Sequence, residues 1–73
     1  KTFMTLAPTM IEESFVVIGE QYDSVELYSL AGVSVAQFGK EAEYDISTLS
    51  GGCYFVEIKN GEQVVGRYKI VKK

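Results

Sequence analysis

Leu49-Ser50-Gly51-Gly52-Cys53-Tyr54-Phe55-Val56-Glu57-Ile58-Lys59-Asn60-Gly61 is the stretch that decides the fold. A glycine hinge opens it, and from Gly52 onward the residues alternate. Tyr54, Val56 and Ile58 fall on one face, and Cys53, Phe55, Glu57 and Lys59 on the other. A period of two marks a strand that packs one side on a core. Asn60-Gly61 supplies the residues that accept positive φ in a type I′ turn. The chain is therefore expected to reverse there and return through Glu62–Ile70 as a hairpin.

The same pattern recurs on the N-terminal side. Val25-Glu26-Leu27-Tyr28-Ser29-Leu30 alternates with Val25 and Leu27 aligned, Ala31-Gly32 breaks it, and Val33-Ser34-Val35-Ala36-Gln37-Phe38 resumes it with Val33 and Val35 aligned. Two alternating runs around a glycine-containing connection predict a second hairpin. Lys1 to Leu6 reads as a first strand ended by Pro8, which cannot donate to a ladder. Thr9 and Glu12 have the spacing of a helix-capping box. The β-branched run Ser14-Phe15-Val16-Val17-Ile18 outweighs it, because such side chains are stiff at χ1 and suit a strand. Glu43-Tyr44-Asp45-Ile46 is a further short strand, and Ser47 to Ser50 is a turn with Asp45, Ser47 and Ser50 available to bond local backbone. About seven short strands at spacings of about 8–12 residues predict an all-β fold, an immunoglobulin-like antiparallel β-sandwich. The cysteine pair and tryptophan of antibody domains are absent, so the expectation concerns architecture alone.

Composition agrees. Seventy-three residues allow one small domain, residues 1–73, with nine aromatics, seven glycines and one proline. A chain of this size buries only about 60% of its unfolded surface, which leaves little room for a deep cleft. No apolar run approaches the roughly 20 residues of a membrane-spanning helix. The start at Lys1, without an initiator methionine or leader, points to a piece of a longer protein. Charge is uneven: residues 62–73 carry four cations against Glu62, whereas the other 61 carry three lysines against nine acids. Four cations on an acidic body do not make a nucleic-acid surface, although a basic tail suits an anionic partner.

Catalytic chemistry has no foothold. Histidine is absent, which removes Ser-His-Asp triads, Cys–His nucleophiles and histidine-based metal sites. Cys53 has no disulfide partner. Glu12, Glu13, Glu41 and Glu43 read as solvated edges and loops, and the glycines form no phosphate cradle. No catalytic residue, cofactor, metal or small-molecule substrate is expected, nor a nucleic-acid partner. Tyr22, Tyr28, Tyr44, Tyr54 and Tyr68 could form a sugar-stacking platform, but Tyr54 shares the core face with Val56 and Ile58.

Four segments in order resemble the C-terminal sorting domains of the type IX secretion system (the Por secretion C-terminal family). Val25-Glu26-Leu27-Tyr28 with Gly32 and Val35 is similar to that family's V-x-I-Y-(D)-x-x-G-x-x-V hairpin. Asp45-Ile46-Ser47-Thr48-Leu49 resembles I-D-L-S-x-L, Gly52 to Ile58 resembles G-x-Y-x-V-x-I, and Lys69-Ile70-Val71-Lys72-Lys73 resembles the K-I-V-K-K ending. Ser29, Val33 and Cys53 depart from the family's usual residues, and its early P-N-P is echoed only by Pro8.

The resemblance implies a secretion signal at the C-terminus of a larger cargo protein. Such a domain folds in the periplasm, is read by the outer-membrane translocon and its shuttle, and is commonly removed by a surface sortase, leaving cargo at the cell surface. The partner-reading residues it implies are Tyr68, Lys69, Ile70, Val71, Lys72 and Lys73. Gly32, Asp45, Leu49, Gly52, Tyr54, Val56, Ile58 and Gly61 are implied as mainly structural. Two other readings compete: an adhesion or carbohydrate-binding sandwich with the tyrosines as platform, and an inert spacer. A strand-swapped homodimer of the isolated chain is a further expectation, since exposed edges invite exchange.

Overall fold

The Leu49–Gly61 stretch lies at the middle of the larger of two sheets. The computed structural model describes residues 5–7, 10–19 and 21–73, and among these there are eight strands and no helix. They are β1 (Thr5–Ala7), β2 (Met10–Ile11), β3 (Ser14–Ile18), β4 (Ser24–Ser29), β5 (Ser34–Gly39), β6 (Tyr44–Asp45), β7 (Gly52–Asn60) and β8 (Gln63–Lys72). The larger sheet runs β2-β8-β7-β4-β5 and the smaller β1-β3-β6. Every pairing is antiparallel except that of β2, which lies parallel to the end of β8 through Met10↔Val71 and Ile11↔Lys72.

Alternation on β7 is as the sequence predicts. Tyr54, Val56 and Ile58 are buried, and they meet Val25 and Leu27 of β4 and Ile70 of β8 in one core. The smaller sheet contributes Phe15 of β3 and Tyr44 of β6, whose rings stack at 5.2 Å; Phe38 of β5 meets Tyr44 edge-on at 5.3 Å and so ties the two sheets together. Tyr22 and Tyr44 join hydroxyls at 2.9 Å inside this core, and the Glu41 N–H donates to Tyr44. Burial and the Tyr44 hydroxyl push the Tyr22 hydroxyl well above its usual pKa. A buried phenol without such a partner would be destabilising.

Four expectations need correcting. The turn after β7 is not type I′ on Asn60-Gly61. Among the described residues no residue other than glycine has positive φ, and the two-residue loop is Gly61-Glu62 between the paired Asn60 and Gln63. Gly61 at φ +65° as first loop residue has the sign pattern of type II′. An extra residue, Val65, opposite the Ile58/Lys59 step absorbs the shift in register. In β5, Ala36 and Phe38 turn inward opposite Leu27 and Val25, not Val33 and Val35, which are 60% and 38% exposed. The cause is the register with β4, which sets Phe38 and Ala36 beside the inward Val25 and Leu27; beyond Ala36 the ladder skips Val35 and Tyr28 pairs Ser34. Finally, the expected seven antiparallel strands gain an eighth that is parallel: Met10–Ile11 pairs with the end of β8, with Ile11 buried in the core. Strands β7 and β8, at nine and ten residues, are also longer than the expected short strands. Of the expected first strand only Thr5 to Leu6 falls among the described residues, within β1; Lys1 to Met4, Pro8 and Thr9 lie outside them.

Candidate recognition surface

The six tail residues do not share a face, because five of them, Tyr68 to Lys72, occupy strand β8. Tyr68 is half-buried against the core, Ile70 is fully buried and Lys72 is 8% exposed, while Lys69, Val71 and Lys73 are open to solvent. The inward set lies opposite Val56, Tyr54 and Gly52 of β7, and the outward set begins with Lys69 opposite Phe55 and Val71 opposite Cys53. The end is also tied down. The Lys73 N–H donates to the Ile11 carbonyl at 2.8 Å, and the Lys72 Nζ donates to the Lys73 carbonyl at 2.9 Å. A methyl group at Gly51 would sit 3.4 Å from the Lys72 carbonyl oxygen, so this corner is closely packed.

The residues expected to be structural lie in turns, at strand ends and in the core. Gly32, at φ +86°, closes the β4–β5 connection, its N–H donating to the Ser29 carbonyl at 2.9 Å. The Asp45 carboxylate accepts the Ser47 N–H at 2.9 Å, which holds its pKa below the usual value. The Leu49 N–H donates to the Ile46 carbonyl, and Leu49 packs on the core half-buried. Gly52 begins β7, where the Tyr54 hydroxyl donates to the Ser50 carbonyl at 2.6 Å. Val56 and Ile58 fill the core, and the Gly61 N–H donates to Asp23 Oδ2 at 3.0 Å.

Across the outward face of the larger sheet runs a charge ladder that the sequence reading did not single out. Lys59 Nζ lies 2.7 Å from Glu26 Oε1 and 3.9 Å from Glu57 Oε1, and Arg67 Nη2 lies 2.6 Å from Glu57 Oε2. Ser34 and the Gln37 side-chain amide also donate to Glu26, at 2.7 and 2.9 Å. These donors, Lys59 first, hold the Glu26 carboxyl down at about 2, and Glu26 in turn raises the Lys59 ammonium. Tyr28, beside the pair, is raised by Glu26. The signal for this ladder was the alternation of Glu57 and Lys59 on one strand. Pairing them with Glu26 and Arg67 required the register, which the β7–β8 irregularity shifts for Arg67.

The tyrosines form no platform. Tyr22, Tyr44 and Tyr54 are buried, Tyr68 packs on the core, and Tyr28 alone stands on the outward face. Among the described residues no cluster of acidic, cysteine or histidine side chains could hold a metal ion. Glu12, Glu13, Glu41 and Glu43 are exposed, as expected, with Ser14 bonded to Glu43.

Comparison with protein families matches residues 9–73 to the secretion system C-terminal sorting domain. No curated protein and no solved structure matches the chain. That family is one of sorting signals, not of enzymes, and it implies engagement with the type IX secretion machinery and export to the outer membrane or cell surface. With β7, its glycine hinge and the β8 tail all inside the matched span, the chain belongs to the family of type IX secretion C-terminal sorting domains.

Proposed function

We propose that residues 1–73 form one sorting domain of a larger cargo protein, without catalytic activity of its own, and that the translocon and its shuttle read it after it folds in the periplasm. A surface sortase then removes it. The observation that carries this reading is the family match, which extends through the whole of β8 to Lys73. Two sheets around one core support an immunoglobulin-like sandwich as the architecture presented. In the folded domain the readable part of the tail is its outward set, Lys69, Val71 and Lys73, while Tyr68, Ile70 and Lys72 support it from beneath. Alternation along β8 sets these side chains on one face of the sheet, where a partner can read them together. A strand-swapped homodimer of the isolated chain belongs to the same proposal, with the long β8 as the exchangeable element.

The test fuses residues 1–73 to the C-terminus of a periplasmic reporter in a type IX host. The reporter is expected outside the cell, and retention of the intact fusion in the periplasm would refute the sorting reading. Deleting Tyr68–Lys73 is a poor probe of recognition, since it also removes the buried Ile70. The combined change Lys69→Glu, Val71→Asp and Lys73→Glu leaves the core side chains in place. Trapping of that variant, with a native-like circular dichroism spectrum, is the expected result. Its export at the parental level would refute the tail as the surface read.

A further inference from the structure

One concave feature on the outward face is unused by any role described above. Tyr28, Ser29, Leu30, Gly32, Phe55, Glu57 and Arg67 line a groove of about 400 Å³. Its floor is set by register: Tyr28 lies opposite Phe55, and Glu57 opposite Arg67. Its wall is the end of the β4–β5 connection, where Leu30 is 60% exposed. From Leu27 to Gly39 the chain carries no charged residue, so this wall is apolar or neutral throughout.

The charges around the groove point to its occupant. Glu57 is 8% exposed and already holds Arg67 and Lys59. The Arg67 side chain is 67% exposed and meets Glu57 through Nη2, whereas a guanidinium has five N–H donors. Lys69, opposite Phe55 in the next row, is exposed. The accessible charge here is therefore positive, on a chain that is otherwise acidic. Beside it stand an aromatic ring, a phenol and an exposed leucine.

We propose that this groove docks an extended segment of a partner protein in which a carboxylate adjoins an aromatic or large aliphatic side chain, the acid on Arg67 and the apolar group between Leu30 and Phe55. Guanidinium–carboxylate bonds supply orientation, and the apolar wall supplies burial that an inorganic anion could not use. The site goes beyond the sorting role: it needs neither export nor the chain end, and three strands and a connection build it.

The experiment is a nitrogen–proton NMR titration of the full chain with N-acetyl-L-phenylalaninate as probe, repeated with the neutral N-acetyl-L-phenylalaninamide and with inorganic phosphate. Saturable shifts at the amides of Tyr28, Gly32 and Phe55, with a dissociation constant in the millimolar range expected of so small a probe in an open groove, support the site. The amide probe and the Arg67→Gln variant are each expected to bind about tenfold more weakly, the loss of one charge-assisted contact. Leu30→Ser is expected to weaken binding about fivefold with the spectrum otherwise unchanged. No saturable shift at those amides, equal binding of acid and amide, or equal binding of phosphate would overturn the proposal.

Discussion

Neighbouring tail residues Ile70 and Val71 should respond very unequally to the same truncation. Ile70 is fully buried opposite Tyr54, whereas Val71 is 36% exposed opposite Cys53. Ile70→Ala removes three carbon groups from a closed core. At about 0.8 kcal/mol for each, plus the cavity left behind, the loss is about 3–4 kcal/mol. A domain of this size is held by about 7 kcal/mol, so the variant should still fold, with about half its margin. Its thermal midpoint should fall by about 20 °C. Val71→Ala removes carbon that already meets water and should cost about 0.5 kcal/mol. Urea unfolding followed by circular dichroism reads both, with unchanged slopes showing that the midpoints report stability alone. Equal destabilisation by the two variants, or a larger effect at Val71, would refute the register of β8 and the division of the tail into inward and outward sets. In the export assay the order should invert for substitutions that add charge: Val71→Asp should impair export of a domain that remains folded.

Other consequences follow from single features. Gly61→Ala should cost about 1 kcal/mol in urea unfolding although its new methyl would meet open space, because φ +65° is strained for any L side chain. Glu26 should mark the acid limb of stability: its folded pKa is about 2 against a usual 4.5, so its contribution is complete above pH 4.5 and lost as pH falls toward 2. Partial exposure screens the Lys59 contact, so Glu26→Gln should lower stability at pH 6 by about 1 kcal/mol while shrinking the difference between pH 6 and pH 2.5. Lys59, raised by Glu26, should hold its contribution through neutral pH and release it only as pH rises through its elevated pKa, an alkaline limb that Lys59→Met removes. Tyr22→Phe should cost about 1 kcal/mol, since Tyr44 loses a hydroxyl partner yet keeps the Glu41 N–H.

How far the sequence could be read depended on how local each feature was. The β7 strand was legible from Tyr54, Val56 and Ile58 because alternation is a property of consecutive residues. So were the Ser47–Ser50 turn and the choice of strand over helix for Ser14–Ile18. The faces of β5 were misread because Val33 and Val35 align as well as Ala36 and Phe38 do, and the register with Val25 and Leu27 of β4 is what chooses between the two sets. The turn on Gly61-Glu62 was misread for a related reason: Asn60-Gly61 fits one two-residue turn and Gly61-Glu62 another, and the extra residue at Val65 selects between them. Parallel pairing of Met10–Ile11 with the end of β8 joins residues about sixty positions apart, a contact no local pattern encodes. The tail was legible as a family motif, yet its division into inward and outward residues needed the register with β7. The groove beside Arg67 was illegible for the same reason, being assembled from β4, β7 and β8 at once.

The parallel clasp between β2 and β8 has a mechanical consequence. The chain enters the clasp at Met10 and leaves it at Lys73, at opposite ends of two strands that run the same way. A pull on the segment before Met10 against a hold on Lys73 therefore slides one strand along the other. Its hydrogen bonds share the load and must break together, whereas an antiparallel pair pulled from its open end would peel one bond at a time. Tension between the segment before Met10 and the end of β8 is thus met in shear, at the place where the second strand of the fold meets the last.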